Sequence, residues 1–220
     1  MRRADAFPTP DTRRPLPGLQ AGRAFAALFV VCFHAIGMWQ NVKYGDIAVA
    51  PNWIMLARIG VDFFFVLSGF IILHAHKDDI GKPARLGRYL WRRAVRVYPI
   101  YWICLTVSIA TLFAIHKPEP LWNIALNYGL LDPFFHPRII VQAWTLFHEI
   151  LFYLAFATLI VNRKLGLAVF AGWIGCAIVL FPHPQLVATI TNPVNSCFLF
   201  GMIARLVMPR VPPRMFWLPL

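Results

Sequence analysis

Apolar runs long enough to cross the roughly 30 Å of a bilayer's hydrocarbon recur along this chain. They fall at Leu19–Trp39, Trp53–His74, Val97–Ile115, Ala143–Val161, Leu165–Phe181 and Val194–Met208, the last two being the shortest. The pattern predicts an all-α fold, a polytopic transmembrane helical bundle of about six spans. No apolar core precedes Leu19, and Arg2, Arg3, Arg13 and Arg14 stand among prolines. Residues 1–18 therefore read as a flexible basic cytosolic tail, not as a cleavable signal. Residues 19–208 are the expected membrane domain, and residues 209–220 read as the start of a further segment.

Composition supports a membrane setting. Apolar residues make up 59% of the chain and charged residues 14%, too little polar surface to cover a water-soluble globule. A net charge of +12 would fit a nucleic-acid binder, but its distribution argues against that partner. Of 21 Lys and Arg residues, 17 lie in alternate gaps: up to Arg23, in Ala75–Arg96, in Asn162–Lys164 and beyond Ala204. The facing gaps hold Lys43, Lys117 and Arg138, and Arg58 sits inside a span. By the positive-inside rule both termini and the 75–96 loop are expected in the cytoplasm. Cys32, Cys104, Cys176 and Cys197 fall within spans without metal-binding or redox spacing, and read as small packing residues. No metal site and no bound cofactor are expected.

Polar residues inside apolar spans are costly and mark candidate chemistry. Arg23 and His34 are separated by ten residues, about three turns plus 20°, so they share a helix face with the histidine about 16 Å deeper. In the second span Asp62, Phe65 and Gly69 share a face, while Ser68 points elsewhere. Asp62 reads either as the partner of Arg58 one turn away or as a group that orients catalysis or holds the helix against the first span. Arg93 and Arg96 precede Pro99, expected to start the third span. They read either as headgroup anchors or as a phosphate clamp. Thr145, Glu149 and Tyr153 form one stripe of the fourth span with His148 on its flank, and Trp53, Trp122 and Trp144 suit an interfacial belt. His34 and Glu149 could tune one another as a catalytic base and its partner, or simply tie two spans together. His74 and His76 read as solvated residues of the cytosolic interface, and His116, His136 and His183 as solvated loop residues. Asn192 to Ser196 reads as the cap of the sixth span.

Four motifs occur in order: Arg23-x10-His34; Gly60-Val61-Asp62-Phe63-Phe64-Phe65-Val66-Leu67-Ser68-Gly69-Phe70; Arg92-Arg93-Ala94-Val95-Arg96-Val97-Tyr98-Pro99; and Trp144-Thr145-Leu146-Phe147-His148-Glu149-Ile150-Leu151-Phe152-Tyr153. With them the chain resembles acyltransferase family 3, the integral-membrane enzymes that acylate bacterial surface and exported sugars. The form of the last motif looks most like the branch that acetylates or succinylates exopolysaccharides. The resemblance implies a multi-pass protein of the bacterial inner membrane. It further implies acyl-CoA, with acetyl-CoA foremost, as donor and a hydroxyl of a polysaccharide or lipid-linked sugar as acceptor. Members usually carry further spans after these motifs.

On that reading His34, Glu149 and Asp62 are the expected catalytic group, while Arg23, Arg93, Arg96, Ser68, Trp144 and Tyr153 are expected to bind donor or acceptor. Two other classes fit the same buried residues. One is a proton-coupled carrier or flippase that relays protons through His34, Asp62 and Glu149. The other is an inactive partner that packs against a full-length acyltransferase.

Overall fold

A computed structural model describes residues 17–39, 59–131, 138–180 and 192–208. Every regular element among the described residues is helical, as the apolar periodicity predicts. In chain order they are α1 (Pro17–Trp39), α2 (Ile59–His76), α3 (Leu86–Ala114), α4 (Leu121–Gly129), α5 (Trp144–Val161), α6 (Arg163–Leu180) and α7 (Val194–Val207). Three segments are long and apolar enough to cross a membrane: Ile59–Asp79, Pro83–Ala114 and Val141–Val161. Ala21–Cys32 and Val194–Val207 are shorter apolar stretches. The tail through residue 16, Trp53, Arg58, His136, His183 and residues 209–220 lie outside the described residues.

Much of the expected 75–96 loop is helix. The connection from α2 to α3 is only Lys77–Arg85, containing two single 3-10 turns, Lys77–Asp79 and Pro83–Arg85. Pro99 therefore lies inside α3 instead of starting it. The residues before it are mostly competent helix formers, and its ring removes one N–H from the ladder without ending the helix. This extension matters because it gives Arg93 a fixed place on a packed helix.

The chain divides into two compact units, one comprising Met1–Ala75 with Cys197–Leu220, the other His76–Ser196. In the first, α1 meets α2 where Ala26 is buried and the Phe63 ring lies against Gly22. The other face of α2, carrying Phe65 and Gly69, is covered by α7. A Cβ on Gly69 would collide with the carbonyl oxygen of Phe198, and one on Gly201 with that of Val66. Small residues let two backbones approach this closely, the main source of helix association where the solvent is itself apolar. Phe65 and Phe198 add an edge-to-face pair with centroids 4.8 Å apart.

In the second unit α5 is the central helix. Phe152, Tyr153, Phe156, Leu159 and Ile160 are buried between α3 on one side and α6 on the other, with Phe152 packed on Phe170. The turn after α2 docks on the end of α5 through a bond from the Gly81 N–H to the Leu159 carbonyl, 3.0 Å. Gly81 has a φ of 76°, which a residue with a Cβ rarely adopts. At the opposite end of α3, α4 packs against the helix and is bonded to it through Tyr98, Tyr101 and Trp102. The cysteines are not core packers: Cys32, Cys104 and Cys176 are exposed on helix surfaces and Cys197 is half-buried. A thiol is small and apolar enough to face lipid at little cost.

Candidate active site

The second unit gathers a polar cluster at the charge-rich end of α3. Its foundation is His76, the last residue of α2, which is 4% exposed. This corrects the expectation of a solvated interface histidine, because the 3-10 turn that follows folds Asp79 back onto the ring. His76 and Asp79 meet through Nδ1 and Oδ2 at 2.8 Å. On the other side of the ring, Nη2 of Arg93 lies 3.1 Å from Nε2. A guanidinium only donates, so Nε2 must accept and Nδ1 must carry the proton given to Asp79. The ring is thus neutral, with its tautomer assigned by its two neighbours.

Arg93 reaches this position because α3 is helical from Leu86 onward, which puts Tyr89 one turn before it on the same face. Its guanidinium carbon is 5.8 Å from the ring centroid of Tyr89 and 5.6 Å from that of Tyr153, within cation–π range. Tyr89 is 1% exposed, stands edge-on to His76 and donates its hydroxyl to the backbone carbonyl of Tyr153 at 3.1 Å. The Tyr153 hydroxyl in turn donates to the Glu149 carboxylate one turn back on α5. Nε of Arg93 is buried without a hydrogen-bond partner among the described residues. Arg96 is exposed and interacts electrostatically with Tyr153. Four of the residues singled out from the sequence, Arg93, Arg96, Glu149 and Tyr153, therefore share one neighbourhood.

The remaining candidates lie elsewhere. Arg23 is half-buried and His34 exposed on α1, while Asp62 and Ser68 are half-buried on α2. Asp62 interacts electrostatically with Cys197 of α7. All four belong to the first unit and Glu149 to the second. Trp144 is half-buried at the start of α5, edge-on to His148 at 5.6 Å. His148 is buried and bonded through Nδ1 to Oδ1 of Asn195 at 2.9 Å. Asn192 caps α7 as expected, its side-chain oxygen accepting from the Val194 N–H at 3.1 Å. His74 is half-buried and accepts from Nε of Arg205 at 2.8 Å, so it too is paired and not simply solvated.

Four participants, Tyr89, Asn195, His76 and Asp79, were not singled out as functional from the sequence. Tyr89 and Asn195 lie far from their partners along the chain, so no local spacing marks them. The His76-x-x-Asp79 spacing was visible, but its value depends on Arg93 arriving from α3. A small, partly open pocket lies by α4, lined among others by Tyr101, Asn127, Leu130, Arg138 and Phe147. There the Tyr101 hydroxyl and the Asn127 amide are already bonded within the fold.

A family model described as an acyltransferase domain matches residues 16–219. The chain belongs to acyltransferase family 3. Bacterial proteins are among its relatives. It is 33% identical over 176 residues to the exopolysaccharide production protein ExoZ of Rhizobium meliloti (strain 1021), covering 72% of this chain and 54% of that protein. It is 29% identical over 159 residues to the provisionally named peptidoglycan O-acetyltransferase YrhL of Bacillus subtilis (strain 168), covering 64% of this chain and 23% of that one. A provisionally named O-acetyltransferase of Staphylococcus aureus (strain COL) is 27% identical over 185 residues, 75% of this chain and 28% of its own length. The chain thus spans about half the length, or less, of these relatives. No solved structure matches it.

Proposed function

We propose that this chain carries the site of a membrane-embedded O-acyltransferase that moves an acetyl or succinyl group from acyl-CoA to a hydroxyl of an exported polysaccharide or its lipid-linked precursor. The observation that carries this reading is one polar cluster in a family of acyltransferases: Arg93 is held by a neutral His76 and lies over the ring of Tyr153, whose hydroxyl donates to Glu149. Names of the relatives that refer to exopolysaccharide and to O-acetyl transfer support the acceptor and the acyl group. The setting is the bacterial inner membrane, crossed about six times by the apolar windows with both termini cytosolic.

In this mechanism Arg23, Arg93 and Arg96 hold the phosphates of coenzyme A at the membrane surface, where guanidinium forks suit phosphate oxygens. His34 takes the proton of the sugar hydroxyl as its oxygen attacks the thioester carbonyl carbon. The C–S bond then breaks, the ester remains on the sugar, and the proton passes to the departing thiolate. Glu149 and Asp62 are the proposed acidic members of this catalytic group, assisting His34 as an acid assists the histidine of hydrolytic triads. Trp144, Tyr153 and Ser68 are the further residues proposed to bind donor or acceptor. Holding both reactants supplies much of the rate, since an acid and base add only about 10² to 10⁴.

The test is to express His34→Ala and Glu149→Gln in bacterial membranes and measure acyl transfer from acetyl-CoA to the sugar. Each variant is expected to lose at least about a hundredfold in rate while inserting normally. Full activity in a correctly inserted His34→Ala protein would overturn the catalytic assignment.

A further inference from the structure

We infer that His76 is a positioning residue for Arg93: held in its Nδ1–H form by Asp79, it offers Nε2 to the guanidinium and fixes where that cation meets the donor's phosphates. This rests on the reading of Arg93 as a phosphate ligand. The geometry leaves few alternatives. Arginine is a flexible side chain, and a cation half-buried among rings is expensive unless its direction is set. Two tyrosine faces confine the guanidinium without orienting its N–H groups, since a ring face attracts charge and does not select a donor. Among the described residues its orientation comes from the hydrogen bond to His76, and that bond exists only if the ring presents a lone pair at Nε2. Asp79 supplies this condition by accepting the proton of Nδ1. Because Nε of Arg93 is buried and unbonded among the described residues, no second contact would restore its direction if His76 were lost.

A pH response follows. Asp79 from the turn, Tyr89, Arg92 and Arg93 from α3 and Phe156 from α5 surround His76, with Tyr153 and Glu149 beyond Arg93. Protonation of Nε2 would set an N–H against the guanidinium and remove its acceptor. Affinity for a phosphate-bearing donor is therefore lost as the pH falls through the titration of His76, while a variant with a non-titrating acceptor stays level.

The experiment uses the whole chain purified in detergent, with helicity monitored for every variant. Imidazole 15N spectra of His76 are expected to show the Nδ1–H tautomer; an Nε2–H or cationic ring near neutral pH would overturn the proposal. In equilibrium binding, His76→Phe, which keeps an aromatic ring without an acceptor, is expected to weaken acetyl-CoA about tenfold and to change acetyl-pantetheine, which lacks the nucleotide phosphates, by less than about twofold. His76→Gln restores an acceptor and is expected to bind acetyl-CoA as the wild type does, with an affinity level between about pH 8 and about pH 5.5. Equal losses for both probes, or failure of His76→Gln to rescue, would mark His76 as merely structural and overturn the proposal. If the wild type binds no acetyl-CoA at all, the donor-site reading fails, while the tautomer still decides whether His76 directs Arg93.

Discussion

The two ends of α3 are both polar and both pack on a neighbouring helix, yet they treat their polar groups differently. At the α4 end, Tyr98, Tyr101 and Trp102 donate to the backbone carbonyls of Gly129, Asn127 and Tyr128. These are the last carbonyls of α4, which have no partner within their own helix. Buried Asn123 donates to Glu119, Asn127 donates back to Asn123, and the Asn127 oxygen accepts from the Ile139 N–H. Neutral donors are spent there on closing a helix end. At the charge-rich end a cation stands between two tyrosine faces and, among the described residues, holds one hydrogen bond and keeps a buried donor unspent. A network that satisfies its own members stabilises a fold, whereas one that keeps a charged donor in reserve is arranged for something that is not part of the fold.

If that contrast is sound, substitutions at the two ends should divide cleanly between binding and stability. The largest effect is expected at Arg93. Arg93→Leu fills the space between the rings but removes every donor, so acetyl-CoA affinity should fall about a hundredfold or more while the protein stays folded, the loss expected of a charged hydrogen-bonding partner. Isothermal titration with the purified chain, paired with a detergent melting curve, reads both quantities. A variant that unfolds without first losing affinity would make Arg93 a structural cation and erase the contrast.

Asn123 is the converse case. It is 1% exposed, and its amide donates to Glu119 at 2.7 Å. Asn123→Ala leaves Glu119 without this donor and removes one acceptor of Asn127, which keeps its bond to the backbone carbonyl of residue 123 at 2.9 Å. The expected cost is about 1–3 kcal/mol of stability, seen as a lower melting temperature, with acetyl-CoA affinity unchanged. A weakened affinity at full stability would connect the two ends.

How much of this was legible in the sequence follows from the range over which each signal acts. Helices are local, so their apolar windows and the motif residues on them could be read directly, including the Glu149–Tyr153 register that the hydroxyl–carboxylate bond uses. The start of α3 was misread because Pro99 signals a helix beginning, although a proline is tolerated inside a helix whose neighbours favour the state. α4 was not expected, being 9 residues long and held by side chains from α3 in place of a long apolar stripe. In the candidate site, Arg93, Arg96, Glu149 and Tyr153 could be named because each stands out from an apolar background. Tyr89 and His76 could not be given roles, because a tyrosine before a span and a histidine after one are ordinary interface residues. Their roles arise from contacts to α5 and α3 that only the folded chain creates.

The smallest expected effect is Tyr101→Phe, and it probes why the α4 end is robust. The Tyr101 hydroxyl donates to the Asn127 carbonyl at 2.7 Å, but that oxygen also accepts from the Leu130 N–H at 3.1 Å. Removing the hydroxyl therefore leaves no orphaned carbonyl, and the ring itself, buried with Leu105 and Ala143, keeps its packing. The loss should be no more than about 1 kcal/mol, at the lower side of a neutral hydrogen bond, and acetyl-CoA affinity should not move. Melting temperatures of the single and the Tyr101→Phe, Asn123→Ala double variant test this redundancy. If the carbonyl caps act independently of the asparagine ladder, the two losses add. A double variant far less stable than that sum would show that the hydroxyl becomes essential once the ladder is broken, so that the α4 end holds by mutual support and not by duplication.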